Sequence, residues 1–197
     1  MPDFIADFIP NILPNVGAGA GATVGKMFGM KSAMKSGIGT ASIRIAKTGI
    51  VVAAIAAVNA VGDVVDPRTG KIVAGARKPD GSGFMDTMAR MREGHGVELP
   101  GGSNTTLGVV ATNVAFDKTQ LTKIAQMSHD GLARTIYPVH TPSDGDTIFA
   151  VATGAIAARA NHGAIGALAA DVLAEAVLRA VKNARGLPGL PSVSDLK

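Results

Sequence analysis

The 197-residue chain contains no cysteine and no tryptophan, and aromatic residues make up only 4% of it. The lack of cysteine excludes disulfide bonds, thiol catalysis and cysteine-based zinc sites. One tyrosine and six phenylalanines offer no stacking platform of the kind that binds single-stranded nucleic acid. The net charge is +4, yet the basic residues form no long run, so we expect no nucleic-acid partner.

The chain also has no long apolar run, and its N-terminal residues do not indicate secretion. Its longest apolar stretch, residues 49–61, contains Asn59 and is too short to cross a bilayer as a helix. The N-terminus begins Met1-Pro2-Asp3 and has neither a basic start nor an apolar segment of leader length. We therefore predict no membrane association and a cytoplasmic location.

Metal-binding patterns are missing too. No histidine has a ligand spacing such as H-E-x-x-H, so we predict surface or packing roles and no metal for His95, His129, His140 and His162.

The glycine-rich stretch 17–26 reads GAGAGATVGK and invites comparison with a phosphate-binding loop. A Walker A motif requires glycine where Ala20 stands and serine or threonine where Met27 stands. We therefore predict no cofactor, and a tight turn that presents backbone amides and Lys26. The alternative for Lys26 is a solvated loop lysine.

Composition indicates one globular domain, and the order of the predicted strands and helices favours the α+β class. Hydrophobic residues are 47% and charged residues 17%, enough for a packed core. Pro10 and Pro14 interrupt an apolar start, so residues 1–16 are predicted to be an N-terminal arm and residues 17–197 the domain. Periodicity predicts strands at 40–47, 50–60, 71–74, 107–114 and 147–153, and helices at 84–93, 118–136 and 164–181, so that helices cover sheets.

The most informative stretch is the junction between a polar, glycine-rich loop at 94–104 and the β-branched strand at 107–114. Thr105 lies at this junction, where a self-cleaving enzyme would place a nucleophile. Cleavage of the Asn104–Thr105 peptide would give Thr105 a free α-amine, with an intrinsic pKa of about 7.7–8.0. That amine would be a base already positioned beside the hydroxyl.

Other residues offer partners for this nucleophile. Asp144 and Asp146, separated by one glycine, could orient the hydroxyl or the new ammonium group. The alternative is a plain turn or a calcium-type acidic loop. Asn59 ends the apolar run and is either a strand-end turn residue or a hydrogen-bond donor aimed into a site.

Together, four segments resemble a known family: 17–26, 57–63, 104–113 and 140–147. The chain resembles the self-processing N-terminal-nucleophile hydrolases that include D-aminopeptidases, β-peptidyl aminopeptidases and nylon-oligomer (6-aminohexanoate-oligomer) endo-hydrolases. The resemblance implies a four-layer αββα sandwich that is cut before Thr105. It divides the domain into a pre-cleavage part, 17–104, and a nucleophile part, 105–197.

The resemblance also implies roles for residues. Thr105 is the nucleophile, and Asp144 and Asp146 belong to its hydrogen-bond network. Lys26 and Asn59 lie near the catalytic centre, with Asn59 a candidate oxyanion donor.

The implied activity is hydrolysis of peptides or linear amide oligomers through an acyl-Thr105 ester. The resemblance and the apolar composition favour a homo-oligomer such as a tetramer. Family chains carry a substantial region ahead of the glycine-rich turn, where this sequence has only residues 1–16. We therefore expect an incomplete sandwich. The alternative function is a truncated, non-catalytic remnant that acts only as a folded or associating module.

Overall fold

A computed structural model describes residues 15–95 and 104–196. Most of the predicted arm at 1–16 and most of the predicted loop at 94–104 lie outside these residues. Within the described ranges the chain forms nine strands and three α-helices. In chain order they are β1 (Thr23–Val24), β2 (Met34–Lys35), β3 (Ile38–Arg44), β4 (Val51–Ala57), β5 (Asp63–Asp66), β6 (Lys71–Ala74), α1 (Thr87–Arg92), β7 (Leu107–Val114), α2 (Lys118–Ala133), β8 (Ile136–Tyr137), β9 (Thr147–Ile156) and α3 (His162–Lys182).

The largest sheet has the strand order β3-β4-β7-β9. Its first three strands are antiparallel, whereas β9 runs parallel to β7 after the chain crosses back through α2. The remaining strands form two smaller sheets, with the orders β1-β2 and β6-β5-β8. This mixture of sheets and helices confirms the predicted α+β class.

Helices α2 and α3 cover one face of the large sheet. The helix-facing residues of β4, Val52, Ala54 and Ala56, are at most 5% exposed. A β-carbon on Gly39 would lie 2.0 Å from the carbonyl oxygen of Ala176, so only glycine lets α3 approach β3 so closely. The many small residues of the sequence therefore serve a close helix–sheet contact.

The opposite face of the large sheet is only partly covered. The near-continuous apolar run at 50–60 predicts a strand buried on both faces. Residues of β4 instead alternate between buried and half-buried, so this prediction was wrong. On this open face Leu107, Phe149 and Val151 are 44%, 59% and 46% exposed. The described residues place no helix against it, so the predicted four layers remain a prediction.

The predicted helices are present, with different ends. α1 begins at Thr87 because the Asp86 carboxylate accepts the Ala89 N–H, and α3 begins at His162 because Asn161 caps it. α2 begins after Asp117, as predicted, but ends at Ala133, because Ile136 pairs with β5. None of the helices in the described parts of the chain has the length and apolar character needed to span a membrane.

Candidate nucleophile site before strand β7

Thr105 lies just before β7 and is fixed through its backbone and its hydroxyl. Its N–H donates to the carbonyl oxygen of Asn59 at 2.9 Å. Its Oγ1 donates to the carbonyl oxygen of Asn104 at 2.6 Å. The hydroxyl therefore lies against the carbonyl of the peptide bond that self-cleavage would break.

The Asn104 residue is held on several sides. It is 7% exposed, its backbone forms a parallel bridge with Asp144, and its Nδ2 donates to the Ser143 carbonyl at 3.3 Å. Its carbonyl oxygen also accepts the Gly145 N–H at 2.8 Å. A backbone donor at this distance could stabilise the negative charge that develops on the oxygen during attack on the carbonyl carbon.

The two aspartates of the turn point to different parts of the site. Asp146 Oδ1 accepts the Thr106 N–H at 2.9 Å, and its Oδ2 contacts His140 Nδ1 at 2.8 Å. Asp144 accepts the Val61 N–H at 3.2 Å and the Thr141 hydroxyl at 2.6 Å. Each carboxylate oxygen thus has a protein partner, an arrangement that favours an orienting role over the calcium-type alternative.

Lys26 and Asn59 form the second side of the site. Lys26 Nζ donates to Asn59 Oδ1 at 2.6 Å, and the Thr23 N–H donates to the same oxygen at 3.2 Å. The Lys26 ammonium and the Thr23 N–H are both donors, so the atom of the Asn59 side-chain amide that faces them must be the oxygen. Burial lowers the pKa of Lys26 to about 8, against a smaller opposing effect of Asp144. Lys26 is therefore a half-buried, bonded lysine and not the solvated alternative.

The glycine-rich stretch differs from the prediction in one respect. The N–H groups of Gly25 and Lys26 donate to the carbonyls of Gly62 and Val61, at 2.9 and 2.8 Å. The turn therefore holds Lys26 against the segment that follows β4, and these two amides are not presented to a ligand.

The structure brings the predicted residues into one cluster. Lys26 contacts Asn59, Asn59 contacts Thr105, and the turn of Asp144 and Asp146 contacts the chain on both sides of Thr105. Two contributors were missed by sequence reasoning. The amide that faces the Asn104 carbonyl belongs to Gly145, and His140, which is exposed at the surface as predicted, also contacts Asp146. The glycine between the two aspartates was the available signal.

Comparison with known proteins decides the family. Residues 13–193 match the model of peptidase family S58. The chain belongs to peptidase family S58. This confirms the resemblance derived from the four sequence segments.

The S58 chain spans about half the length of the curated relatives it matches. It is 40% identical over 180 residues to an uncharacterised aminopeptidase of Mycobacterium tuberculosis, covering 81% of this chain and 52% of the relative. It is 32% identical over 160 residues to a 6-aminohexanoate-oligomer endohydrolase of Paenarthrobacter ureafaciens, covering 74% of this chain and 44% of the relative.

Solved structures share the fold of this S58 chain. The L-aminopeptidase D-Ala-esterase/amidase of Ochrobactrum anthropi, described as a variant of the Ntn hydrolase fold, superposes with a TM-score of 0.60 at 19% identity. The match covers 92% of this chain and 48% of that one. A Burkholderia sp. beta-aminopeptidase superposes with a TM-score of 0.59 at 24% identity, covering 88% and 47%.

The geometry of Gly145 gives a first testable prediction. A β-carbon at this position would lie 2.9 Å from Thr105 Oγ1, so Gly145→Ala should displace the hydroxyl from the Asn104 carbonyl. We expect self-cleavage to slow by about 10²-fold, the order lost when a reacting group is misplaced by about 1 Å. The measurement is the uncut fraction over time on denaturing mass spectrometry.

Gly21→Ala is the matched control for Gly145→Ala. A β-carbon on Gly21 meets nothing within 4 Å, so this variant should cut at the wild-type rate. Equal rates for Gly145→Ala and Gly21→Ala would contradict the assigned geometry.

Proposed function

We propose that the chain is an amide-bond hydrolase that cuts itself between Asn104 and Thr105 and then uses Thr105 as an N-terminal nucleophile. The observation that carries the proposal is the environment of the Asn104 carbonyl oxygen. It accepts the Thr105 hydroxyl at 2.6 Å and the Gly145 N–H at 2.8 Å. Nucleophile and oxyanion donor thus meet at one peptide bond.

Self-cleavage proceeds in two chemical steps. Thr105 Oγ1 attacks the Asn104 carbonyl carbon while neutral Lys26 accepts the hydroxyl proton, and the Gly145 N–H stabilises the oxyanion. The C–N bond then breaks, the nitrogen takes up a proton, and an Asn104–Thr105 ester remains. Water hydrolyses this ester, which leaves an Asn104 carboxylate and a Thr105 α-amine. We assign Lys26 as the base because Asn59 links it to Thr105, with the Asn59 side chain accepting from Lys26 Nζ and the Asn59 carbonyl accepting the Thr105 N–H. Its lowered pKa, about 8, also leaves part of it neutral near physiological pH.

After cleavage the α-amine of Thr105 replaces Lys26 as the base that serves the hydroxyl. The Thr105 N–H already faces the Asn59 carbonyl, and Asp146 holds the next amide, so the new ammonium would keep acceptors around it. A substrate amide is then cleaved through an acyl-Thr105 ester, which water releases. The relatives named aminopeptidase and 6-aminohexanoate-oligomer endohydrolase support peptides or linear amide oligomers as the substrate class.

Substrate hydrolysis tests the proposed enzyme separately from its processing. Purified protein is incubated with aminoacyl-p-nitroanilides and with linear 6-aminohexanoate oligomers, and product is measured against the fraction of cut chain. Activity should rise in proportion to that fraction. A fully cut protein that hydrolyses neither class would contradict the proposed substrates. A folded, uncut and inert protein would support the second candidate, a non-catalytic module that only associates.

Exposed apolar residues support association of two copies of the chain, whether or not the chain is an active enzyme. The open face of the large sheet exposes Leu107, Phe149 and Val151. Four strands about 4.8 Å apart and about 27 Å long give a footprint on the order of 500 Å². That approaches the roughly 800 Å² per partner of a stable interface, so we propose that two copies pack through this face, as dimers or as units of a tetramer.

A charge on the open face should separate the copies. Phe149→Lys would place an ammonium group in an apolar contact, where it has no partner, so the variant should sediment as a monomer. Met30→Lys is the control, because Met30 is 56% exposed and lies outside the sheet. A wild-type protein that is monomeric at tens of micromolar, or a Phe149→Lys variant that still associates, would contradict the interface.

A further inference from the structure

Asn104 occupies, before cleavage, the space that a substrate residue must occupy afterwards. The Thr105 hydroxyl and the Gly145 N–H both donate to the Asn104 carbonyl oxygen, at 2.6 and 2.8 Å. A nucleophile and an oxyanion donor that meet at one point fix where the reacting carbonyl lies. A substrate carbonyl that reacts with Thr105 must therefore take the place of the Asn104 carbonyl, and its acyl residue takes the place of Asn104.

The turn beside Asn104 is held by contacts that do not involve Asn104. The Asp144 carboxylate accepts the Val61 N–H at 3.2 Å. The Asp146 carboxylate accepts the Thr106 N–H at 2.9 Å. Because these bonds tie the turn to segments on other sides of the site, the space keeps its shape when Asn104 departs.

The contacts of Asn104 show which chemistry this space accepts. The residue is only 7% exposed, and its Nδ2 donates to the Ser143 carbonyl oxygen at 3.3 Å. Its backbone forms a parallel bridge with Asp144, which is the way an extended peptide adds to a sheet edge. The space therefore fits an extended residue whose short side chain ends in an N–H donor.

We propose that the subsite vacated by Asn104 selects an asparaginyl residue of L configuration, so that the cut enzyme prefers amides of N-acylated L-asparagine. The proposal rests on the proposed function of this site. Thr105 Oγ1 forms an ester with the asparaginyl carbonyl carbon, the amide C–N bond breaks, and the amine leaves with a proton. Water then hydrolyses the ester, which releases an N-acyl asparagine and restores the hydroxyl.

Other acyl residues lose one of the features that Asn104 shows. A leucyl side chain has no donor, so the Ser143 carbonyl would lose a partner in a buried place. An aspartyl side chain would place a carboxylate against the same oxygen. A D-asparaginyl residue with the same backbone pairing would direct its side chain away from that oxygen. The Asn104 nitrogen belongs to a peptide bond in the uncut chain, so the subsite accepts a blocked nitrogen.

The test is a set of four chromogenic substrates hydrolysed by purified, cut wild-type protein. They are N-acetyl-L-asparaginyl p-nitroanilide and its L-leucyl, L-aspartyl and D-asparaginyl analogues. All four share the blocked nitrogen and the leaving group, so differences in kcat/KM report the acyl residue. We expect kcat/KM for the L-asparaginyl compound to exceed that of each other compound by at least about tenfold. The D-asparaginyl compound is the matched control, because it contains the same atoms.

Self-cleavage gives a second readout of the same subsite, because residue 104 is the acyl residue of that reaction. Asn104→Leu and Asn104→Asp should each cut at least about tenfold more slowly than wild type. Either variant cutting at the wild-type rate would contradict the contact with Ser143. The substrate series uses wild-type protein, so its result does not depend on how these variants fold.

The outcomes separate the subsite from the enzyme. Cut protein that hydrolyses the L-asparaginyl compound no faster than the L-leucyl, L-aspartyl or D-asparaginyl one would overturn the subsite and leave the proposed hydrolase in place. Cut protein that hydrolyses unblocked aminoacyl-p-nitroanilides but none of the four acetylated compounds would do the same. Wild-type protein that stays uncut, or that is cut and hydrolyses no amide, would overturn the proposed function and the subsite with it.

Discussion

Thr105→Ala protein is expected to remain a single chain under conditions in which the wild type becomes two. The substitution removes the hydroxyl that lies 2.6 Å from the Asn104 carbonyl oxygen and leaves the backbone contacts unchanged. No other hydroxyl is bonded to that oxygen in the described residues. We expect cleavage to fall by at least about 10³-fold, the order lost when a nucleophile is deleted. Denaturing mass spectrometry over days measures it.

Thr105→Ser is the control that shows whether lost cleavage in Thr105→Ala comes from the missing hydroxyl or from misfolding. Serine keeps the hydroxyl and loses one methyl group, so this variant should still cut, within about 10-fold of wild type. Thr106→Val is a second control, because the Thr106 side chain is fully buried and its Oγ1 makes no hydrogen bond in the described residues. Cleavage by Thr105→Ala at a wild-type rate, or loss of cleavage in Thr106→Val alone, would contradict the assignment.

Lys26→Met is expected to have the second-largest effect. Methionine keeps most of the apolar stem but removes the amine that bonds Asn59 and serves as the proposed base. We expect self-cleavage to slow by about 10²–10⁴-fold, the usual contribution of a positioned general base. The rate of self-cleavage is measured with synthesis of the chain as time zero. The control is Lys31→Met, which changes an exposed lysine in the next loop and should cut at the wild-type rate.

The pH dependence of wild-type cleavage follows from the same lysine. Burial lowers the pKa of Lys26 to about 8, so its neutral fraction grows tenfold per pH unit below that value and levels off above it. The wild-type rate should follow this curve. Lys26→Arg stays protonated throughout, so its residual rate should lack the rise near pH 8. A rise that persists in Lys26→Arg would exclude Lys26 as the base.

Much of the fold could be predicted because local signals and tertiary contacts agree. The strand Leu107–Val114 has the predicted bounds, as has Lys71–Ala74, because turn residues delimit each run. The end of α2 was misjudged because the tertiary pairing of Ile136 with β5 overrides a continuing helical pattern. Burial of β4 on one face only depends on what packs against the sheet, and no local pattern reports that.

The site was predictable as a set of residues but not as a set of contacts. Thr105, Asp144 and Asp146 stand out by position and type, and the resemblance added Lys26 and Asn59. The donor to the Asn104 carbonyl is the backbone N–H of Gly145, and the sequence shows the glycine but not which carbonyl its N–H faces. The contact between His140 and Asp146 was not predicted, because nothing in the sequence indicates the left-handed backbone at His140.

The most direct test of the account is the intact mass of the purified wild-type protein under denaturing conditions, with N-terminal sequencing of its pieces. We predict two polypeptides, residues 1–104 and 105–197, with Thr105 at the new N-terminus and a combined mass one water above the uncut chain. A single uncut chain of 19.8 kDa after prolonged incubation at pH 8, or a cut at any other bond, would contradict it.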